Sequence, residues 1–303
     1  MSHETASATR QPPMKIWIDG RIVERDEARI SVLDHGLLYG DGLFEGIRIT
    51  GGRVFRLGDH LRRFAVGARA IGLELPLAID AIEKIVLDTA RALGQPDAYV
   101  RLVCTRGTGA LGVDPTTCDS PTLFCVVTSL ALYPDEKLLG GIDLVTASVR
   151  RPAADALDPQ IKSLNYLNSV LAKREARLRG ADEALILNDR GLVAEAAVAN
   201  VFTVRDESLA TPPPTDGALP GITRRSVLEI AADLGLPSSE RSLGRMDLLA
   251  ADEVFMTGSG AGIVPVATLD GQPVGSAGRG RGPITARIIE AFPAFAERMG
   301  VAF

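Results

Sequence analysis

Apolar and polar residues alternate from Met14 through "MKIWIDGRIV", and Asp19–Gly20 interrupts the alternation at its middle. A period of two marks a strand with one buried face, and an Asp-Gly pair accepts the left-handed backbone of a tight reversal, so the stretch predicts a β-hairpin. "GLFEGIRIT" (42–50) and "RVFRL" (53–57) predict two more strands, reversed at Gly51–Gly52. The period then changes. Residues 59–72 and 78–93 space their apolar side chains three and four apart, and each stretch closes near a glycine (Gly72, Gly94), which predicts two amphipathic helices with glycine C-caps. "AYVRLVCTRG" and "PTLFCVVTSLAL" return to strand patterning. Strands, then helices, then strands predict an α+β layer for the first half.

"LYPDEKLLGG" (132–141) is polar and turn-rich between two strand signals, and it is the expected connection between two domains. Beyond it "GIDLVTASVRR" and "EALILNDRGLVAEAAVANVFTV" predict strands, separated by a helix from about Ser163 to Gly180. In that helix Leu164, Leu167, Leu171 and Leu178 share one face, the expected apolar side, while Lys173, Arg174, Arg177 and Arg179 lie largely away from it. Further helices are predicted after "ALPG" (218–221) and from "GPITARIIEAF". The expected division is a flexible tail over 1–13, a small domain over 14–131, the connecting loop 132–141 and a larger domain over 142–303.

Composition narrows the function class. A chain of 303 residues with 46% hydrophobic and 23% charged residues can bury a substantial core, and its length favours two domains. A formal charge of −5 argues against a nucleic-acid surface, and no apolar run approaches the roughly 20 residues that a membrane helix requires. The N-terminal "MSHETASATRQPP" lacks the apolar core of a signal peptide. Cys104, Cys118 and Cys125 have no metal-ligand spacing, and His3, His35 and His60 form no cluster, so no metal is expected and a reducing, cytoplasmic setting is. "GRGRG" (278–282) is too short for an RNA-binding tract and reads as a loop; "GDGLFEG" (40–46) lacks the context of a dinucleotide fingerprint.

Five lysines occur, and four have ordinary homes at a strand start, on helix surfaces and in the connection. Lys162, in "IKSLNYLN", stands where a strand region passes toward a helix between apolar neighbours, a place where partial burial would make an amine reactive. On local grounds alone a surface lysine at a helix start is the ordinary reading. A phosphorylated aldehyde cofactor would also need an anion site. "LPGITRRSVLEIAADLGLP" supplies a helix start with free N–H groups at Ile222 and Thr223, and "VFMTGSGAG" (254–262) adds donors at Ser259 and Gly260. Arg56 in "VFRL" offers charge and a forked hydrogen bond. Glu195, inside the apolar run "LVAEAAVANVF", is a carboxylate suited to a cofactor's ring nitrogen, or a strand-end acid facing solvent. "AYVRLVC" puts Tyr99 and Arg101 on one strand face, fit to read a substrate carboxylate or to form a structural pair; Arg48 in "FEGIR" has the same two readings.

Taken in order, "SVLDHGLLYGDGLFEGIR", "VFRLGDHLRR", "AYVRLVCTRG", "IKSLNYLNSVLAKREA", "LPGITR" and "DEVFMTGSGAGIVPV" resemble the class IV, fold-type IV aminotransferases, and among them the branched-chain amino acid aminotransferases. The resemblance runs from about residue 15 to 292. It implies a two-domain enzyme of mixed α+β and α/β architecture, with a small N-terminal α/β domain and a larger C-terminal pseudo-barrel domain that binds pyridoxal 5'-phosphate. Residue by residue, Lys162 matches the lysine that bonds the cofactor aldehyde and then carries the proton, Tyr166 the tyrosine on its phenolic oxygen, and Glu195 the partner of its pyridine nitrogen. Arg56, Ile222, Thr223 and Ser259 match the phosphate cup. Tyr99 with the turn at Ser259, Gly260 and Ala261 matches the substrate-carboxylate site, and Phe44, Arg48, Arg101 and Tyr133 line the pocket in relatives. Tyr39 and the loop Leu111 to Val113 resemble segments lent by a neighbouring subunit, which implies a homodimer.

The resemblance further implies ping-pong transfer between a branched-chain L-amino acid and 2-oxoglutarate, in amino-acid biosynthesis. The chain departs from the family pattern in two places. Relatives commonly run Gly-x-Gly-x-Asn after the pyridine-pairing acid, whereas "EAAVAN" keeps Asn200 but places Ala196 and Val198, expected to add side chains beside the cofactor. Relatives often have Ala-Ala-Glu where this chain has "GAG" (260–262), so Gly262 is expected to loosen that turn. A D-amino acid or (R)-amine transaminase and a 4-amino-4-deoxychorismate lyase share the fold, and a non-catalytic binding protein that keeps it is the rival of another class.

Overall fold

The computed structural model describes residues 12–129, 132–275 and 280–303; residues 1–11 of the expected tail, the junction at 130–131 and the start of "GRGRG" lie outside the described residues. The hairpin forms as β1 (Met14–Ile18) and β2 (Arg21–Val23), turned by Asp19 and Gly20 at φ 50° and 80°. A short helix α1 (His35–Tyr39) leads to β3 (Gly42–Thr50) and β4 (Arg53–Phe55), then to helices α2 (Leu57–Ala70) and α3 (Ile79–Leu93), and on to β5 (Ala98–Thr105) and β6 (Thr122–Thr128). The two helices cover one sheet face, where Leu61, Phe64, Ile82 and Val86 pack with Ile47, Val100 and Leu102. Each such buried side chain contributes about 1.5–3 kcal/mol before chain entropy is subtracted.

The next helix, α4 (Asp135–Gly140), stands inside the stretch read as a turn-rich connection. It precedes β7 (Ile142–Arg150), α5 (Ala154–Leu157), α6 (Leu167–Leu178), β8 (Glu183–Leu187), β9 (Val193–Ala196), β10 (Asn200–Arg205) and β11 (Ser208–Thr211). Then come α7 (Ile222–Asp233), β12 (Ser238–Glu240), α8 (Arg245–Leu249), β13 (Glu253–Gly258), β14 (Gly262–Leu269), β15 (Gln272–Pro273), α9 (Pro283–Arg298) and β16 (Gly300–Ala302). Strands β7 to β15 build a nine-stranded sheet in the order β12-β11-β10-β13-β14-β7-β8-β9, with β15 on β14. The seven-stranded sheet runs β16-β4-β3-β5-β6-β1-β2, so the chain's last strand returns to the first sheet. The architecture is the two-sheet, mixed α/β arrangement expected of fold type IV. No helix among the described residues is long and apolar enough to cross a membrane, and no cluster of His, Cys, Asp and Glu among them could hold a metal ion.

Helix α6 corrects the sequence reading twice. It starts at Leu167, four residues later than expected, because residues 162–164 are engaged elsewhere. Its predicted apolar face is turned outward: Leu167 is 69% and Leu178 72% exposed. Ser169, Ala172 and Ala176 make the buried stripe instead, against Val145, Ala147, Ala184 and Ile186. Small side chains let the helix lie close to β7 and β8, a spacing that leucines would prevent.

Between β3 and α2 lies a buried charge cluster. The Glu45 carboxylate accepts hydrogen bonds from His60 Nδ1 (2.7 Å), Arg63 Nε (2.8 Å) and Arg63 Nη2 (2.7 Å). Burial alone would raise the Glu45 pKa, but Arg63 and His60 outweigh it and hold it at about 2, against an ordinary 4.5. Burial keeps His60 below its ordinary 6.5 although Glu45 draws it up. In both cases the deprotonated form is the folded one, so the stabilisation is complete above the unfolded pKa and fades as pH falls. Urea unfolding followed by circular dichroism is expected to show stability falling below pH 6.5 and then losing about 3 kcal/mol more between pH 4.5 and 2. Glu45→Gln should remove that second loss while lowering stability at pH 7; an unchanged acid limb would refute the assignment.

Candidate active site

Lys162 lies in neither sheet nor helix. Strand β4 is short and meets β3 only at Ile49 and Thr50, which leaves the start of β3 with backbone groups to satisfy on that edge. Residues 162–164 satisfy them. Phe44 N donates to Lys162 O (3.0 Å) and Leu164 N to Gly42 O (2.9 Å), with Leu43 opposite Ser163 in an antiparallel bridge. Ser163 is buried by this pairing, and the half-buried Lys162 side chain reaches over the Phe44 ring, its Nζ 4.5 Å from the centroid. Lys162 Nζ donates to the Tyr166 hydroxyl at 3.1 Å, and Tyr166 in turn meets Phe44 edge-on at 4.9 Å.

An open-mouthed space of about 550 Å³ lies in front of this amine, with Tyr166, Glu195, Arg63, Thr223 and Ser259 also in its wall. Glu195 is 5% exposed on β9, so the solvent-facing alternative is excluded. Its Oε2 accepts from Asn200 Nδ2 (3.0 Å) and from Leu219 N (3.1 Å). Burial pushes its pKa up, while Arg151, the Leu219 N–H, Lys162 and Arg63 pull it back. Asn200 also donates to Leu219 O at 2.9 Å. That reach needs a glycine beneath it: a Cβ at Gly221 would come within 1.9 Å of Asn200 Oδ1.

Gly221 caps α7 without a side-chain hydrogen bond, and Ile222 and Thr223 are buried in the cavity wall. The N–H groups of that first turn have no intrahelical acceptor and carry the positive end of the helix dipole, so they favour an anion. Arg63, which sequence reasoning passed over, supplies the charge here: its guanidinium lies in the wall, clamped by Glu45 and donating through Nη1 to Pro220 O (2.9 Å). Arg56, the expected cup arginine, is not in the wall. It caps α2 in the left-handed region (φ 47°), and its buried side chain pairs with Asp59 and Glu229. The recognisable signal was helical spacing, because Arg63 follows Arg56 by seven residues, two turns along one helix. Thr257 was also passed over. It lies in the wall with a buried hydroxyl that has no hydrogen-bond partner among the described residues.

Tyr99 and Gly260 line the space, and Gly46 makes this possible for Tyr99, since a Cβ there would stand 2.0 Å from its hydroxyl. Arg101 sits beside them, 3.2 Å from the Tyr99 hydroxyl and stacked over Phe44 at 4.4 Å. Phe44 itself is buried beneath Lys162 rather than in the wall. Arg48 holds the turn from outside, donating to Ser259 O (3.1 Å) and Gly260 O (2.6 Å), and Ala261 packs toward the core behind that turn. Tyr133 is away from the space, because its hydroxyl is drawn to the buried Glu183 (3.1 Å). Tyr39 is also away, its hydroxyl accepting from Gly112 N (2.8 Å) beside the exposed Leu111 and Val113. Ala196 is buried in the core of the larger sheet, not beside the space; Val198, half exposed in the 197–199 turn, does line it.

The class IV amino-transferase family model matches residues 42–269. A Methanocaldococcus jannaschii protein named for branched-chain-amino-acid aminotransferase activity is 44% identical over 290 residues, which cover 95% of this chain and 98% of that one. The crystal structure of the Escherichia coli branched-chain amino acid aminotransferase superposes with a TM-score of 0.89 at 36% identity, over 93% of this chain and 94% of that one. The branched-chain aminotransferase of the thermophilic archaeon Thermoproteus uzoniensis, solved with norvaline, superposes with a TM-score of 0.85 at 39% identity, over 92% of this chain and 93% of that one. A family model spanning most of the chain, and whole-chain likeness around a lysine-bearing cavity, lead to one assignment: the chain belongs to the class IV aminotransferases, of fold type IV, and is an aminotransferase.

Proposed function

We propose that this aminotransferase depends on pyridoxal 5'-phosphate and moves the amino group of a branched-chain L-amino acid to 2-oxoglutarate in ping-pong order. One observation carries the reading: Lys162 Nζ, 3.1 Å from the Tyr166 hydroxyl, faces the same space as buried Glu195 and the uncapped start of α7. A phosphorylated aldehyde ring fits these residues. Lys162 would hold its aldehyde, Tyr166 its phenolic oxygen, Glu195 its ring nitrogen, and Ile222, Thr223, Ser259 and Arg63 its phosphate, with the unpartnered Thr257 hydroxyl as a further polar group. When bound, the cofactor supplies an electrophilic carbon and a ring that draws electrons from the substrate's α-carbon.

The Lys162 amine, freed when the donor's amine takes its place, would take the α-proton and pass it on within the same half-reaction, and the acceptor oxo acid would be aminated by the same transfers in reverse. Phe44 and Tyr166 fix the direction from which that amine approaches. Tyr99 and the Ser259–Gly260 turn offer hydrogen bonds for the substrate carboxylate, and Arg101 lies beside them with its charge unpaired among the described residues. A third solved relative, the T.th. branched-chain amino acid aminotransferase, has been captured with 4-methylvaleric acid and with N-(5'-phosphopyridoxyl)-L-glutamate, a branched acid and a glutamate adduct. That pairing supports a branched-chain donor with a five-carbon dicarboxylate acceptor. Tyr39 and the loop 111–113 stand away from the chain's own cavity with large apolar side chains uncovered, and the outward leucines of α6 do the same, which favours a homodimer.

Purified protein given pyridoxal phosphate is expected to gain a visible absorption band that Lys162→Ala abolishes; a wild type that stays colourless refutes cofactor dependence. With 2-oxoglutarate as acceptor, turnover should favour L-leucine, L-isoleucine and L-valine over D-alanine and (R)-phenylethylamine, and a chiral assay finding activity with the latter two alone would transfer the assignment to the D-amino acid or (R)-amine enzymes. Arg63→Gln should raise the pyridoxal phosphate concentration for half-saturation by about tenfold or more, whereas Arg56→Gln should alter thermal stability and leave that concentration unchanged. The reverse ranking would return the cup to Arg56. Sedimentation should give the mass of a dimer, weakened by Leu111→Asp; a monomer with full activity would end the subunit-sharing proposal.

A further inference from the structure

Arg151 is the residue immediately after β7, and its backbone N–H continues the ladder by donating to Leu187 O at 2.9 Å. Its side chain is 11% exposed and points inward, where Nη2 meets Glu195 Oε1 at 2.7 Å. Nε donates to Gly217 O (3.2 Å), and Nη1 lies 3.5 Å from Ser169 Oγ. Gly217 leaves room for this path, since a Cβ there would approach Arg151 Cγ to 3.1 Å. Arg151 does not line the space in front of Lys162; it reaches Glu195 from behind, beside a second, smaller cavity.

The acceptor capacity of Glu195 can be counted. An ionised carboxylate offers about four lone-pair directions. Asn200 and Leu219 occupy Oε2, and Arg151 occupies one direction of Oε1. What remains is one direction on Oε1, the oxygen that Arg151 holds. We propose that Arg151 is a positioning residue that acts through Glu195, fixing its free lone pair toward the cofactor's ring nitrogen and keeping the carboxylate anionic so that the ring nitrogen retains its proton. The inference rests on the cofactor reading above.

The charges that face Glu195 from elsewhere are Lys162 and Arg63, both across the cavity, and Arg151 is the first among the charges that oppose its burial. Without Arg151 the shared proton belongs to the carboxylate, and the ring nitrogen becomes neutral. The ring then draws electrons less strongly, so the α-proton is removed more slowly although the donor still binds.

The test compares wild type with Arg151→Gln and Arg151→Lys, with the exposed neighbour Arg150→Gln as the control for lost surface charge. In cofactor-free protein carrying δ-¹³C-labelled glutamate, the Glu195 carboxyl resonance is identified by its loss in Glu195→Gln. Its titration midpoint should rise by about one pH unit or more in Arg151→Gln. In the loaded enzyme the pH midpoint of the visible band should rise, and the donor half-reaction should slow by about tenfold or more while donor half-saturation changes less than about twofold. Arg151→Lys, which keeps the charge and loses the fork, should move each quantity in the same direction by less, and it carries the test if the glutamine variant does not fold. A Glu195 midpoint and a visible band both unmoved by either substitution overturn the role of Arg151 and leave the cofactor reading intact. A wild type that takes up no pyridoxal phosphate overturns the cofactor reading, and with it the purpose assigned to Arg151.

Discussion

The structure around the cavity depends on three residues of extended chain. Residues 162–164 pair with the start of β3 because β4 leaves that edge unsatisfied, and the pairing makes one backbone stretch answerable to the small sheet. The chain on either side of it, β7 before and α6 after, belongs to the larger sheet's layer. Lys162 is therefore positioned by both sheets at once. A lysine on a free loop would spread its amine over many rotamers; here the Phe44 ring beneath and the Tyr166 hydroxyl at 3.1 Å restrict it. The late start of α6 is a consequence of the same pairing, since the residues expected in its first turn are already hydrogen-bonded as strand.

The two ends of the cavity are then held by buried ions of opposite arrangement. At the anion end the cation, Arg63, faces the space and its carboxylate partner Glu45 lies behind it. At the other end the carboxylate, Glu195, faces the space and its guanidinium partner Arg151 lies behind. Each buried charge is thus paired and hydrogen-bonded on its hidden side and keeps unused capacity on its open side. That arrangement limits the desolvation penalty that an isolated charge would suffer and leaves a field across the cavity for a polar, charged ring. Arg63 also ties the α2 helix to Pro220, so the start of α7 is fastened to the Glu45 cluster.

Much of this was readable in the sequence, and the failures lie where tertiary packing decides. The hairpin, α2 and α3, and the uncapped start of α7 follow from local periodicity, and Lys162 and Glu195 stand out as residue types in an unusual setting. Arg56 and Arg63 could not be separated that way, because residues seven apart on a helix present similar directions and only tertiary packing decides which turn meets the cavity. Tyr133 failed for another reason: a buried acid, Glu183, captures its hydroxyl, and that acid lies fifty residues further along the chain. Helix α6 shows the limit of hydrophobicity itself, since its small residues face the sheet and its leucines face out.

The departures from the family pattern divide along the same line between local pattern and packing. Ala196 belongs to the end of β9, where the pleat turns its methyl into the core, so it adds nothing to the cavity. Val198 belongs to the turn that follows, where no sheet neighbour covers it, and it faces the cavity half exposed. The glycine-rich turn at 260–262 is held from outside. Gly262 sits at φ 76°, a conformation that other residues adopt with strain, and Arg48 fastens the carbonyls of Ser259 and Gly260 from β3. A Cβ added at position 262 would stand 3.6 Å from the Arg48 Nη2, an ordinary van der Waals distance, so the backbone conformation and not the space favours glycine there. Arginine at 48 therefore ties the turn at two carbonyls from the opposite sheet, while glycine at 262 supplies the left-handed backbone on which the turn ends.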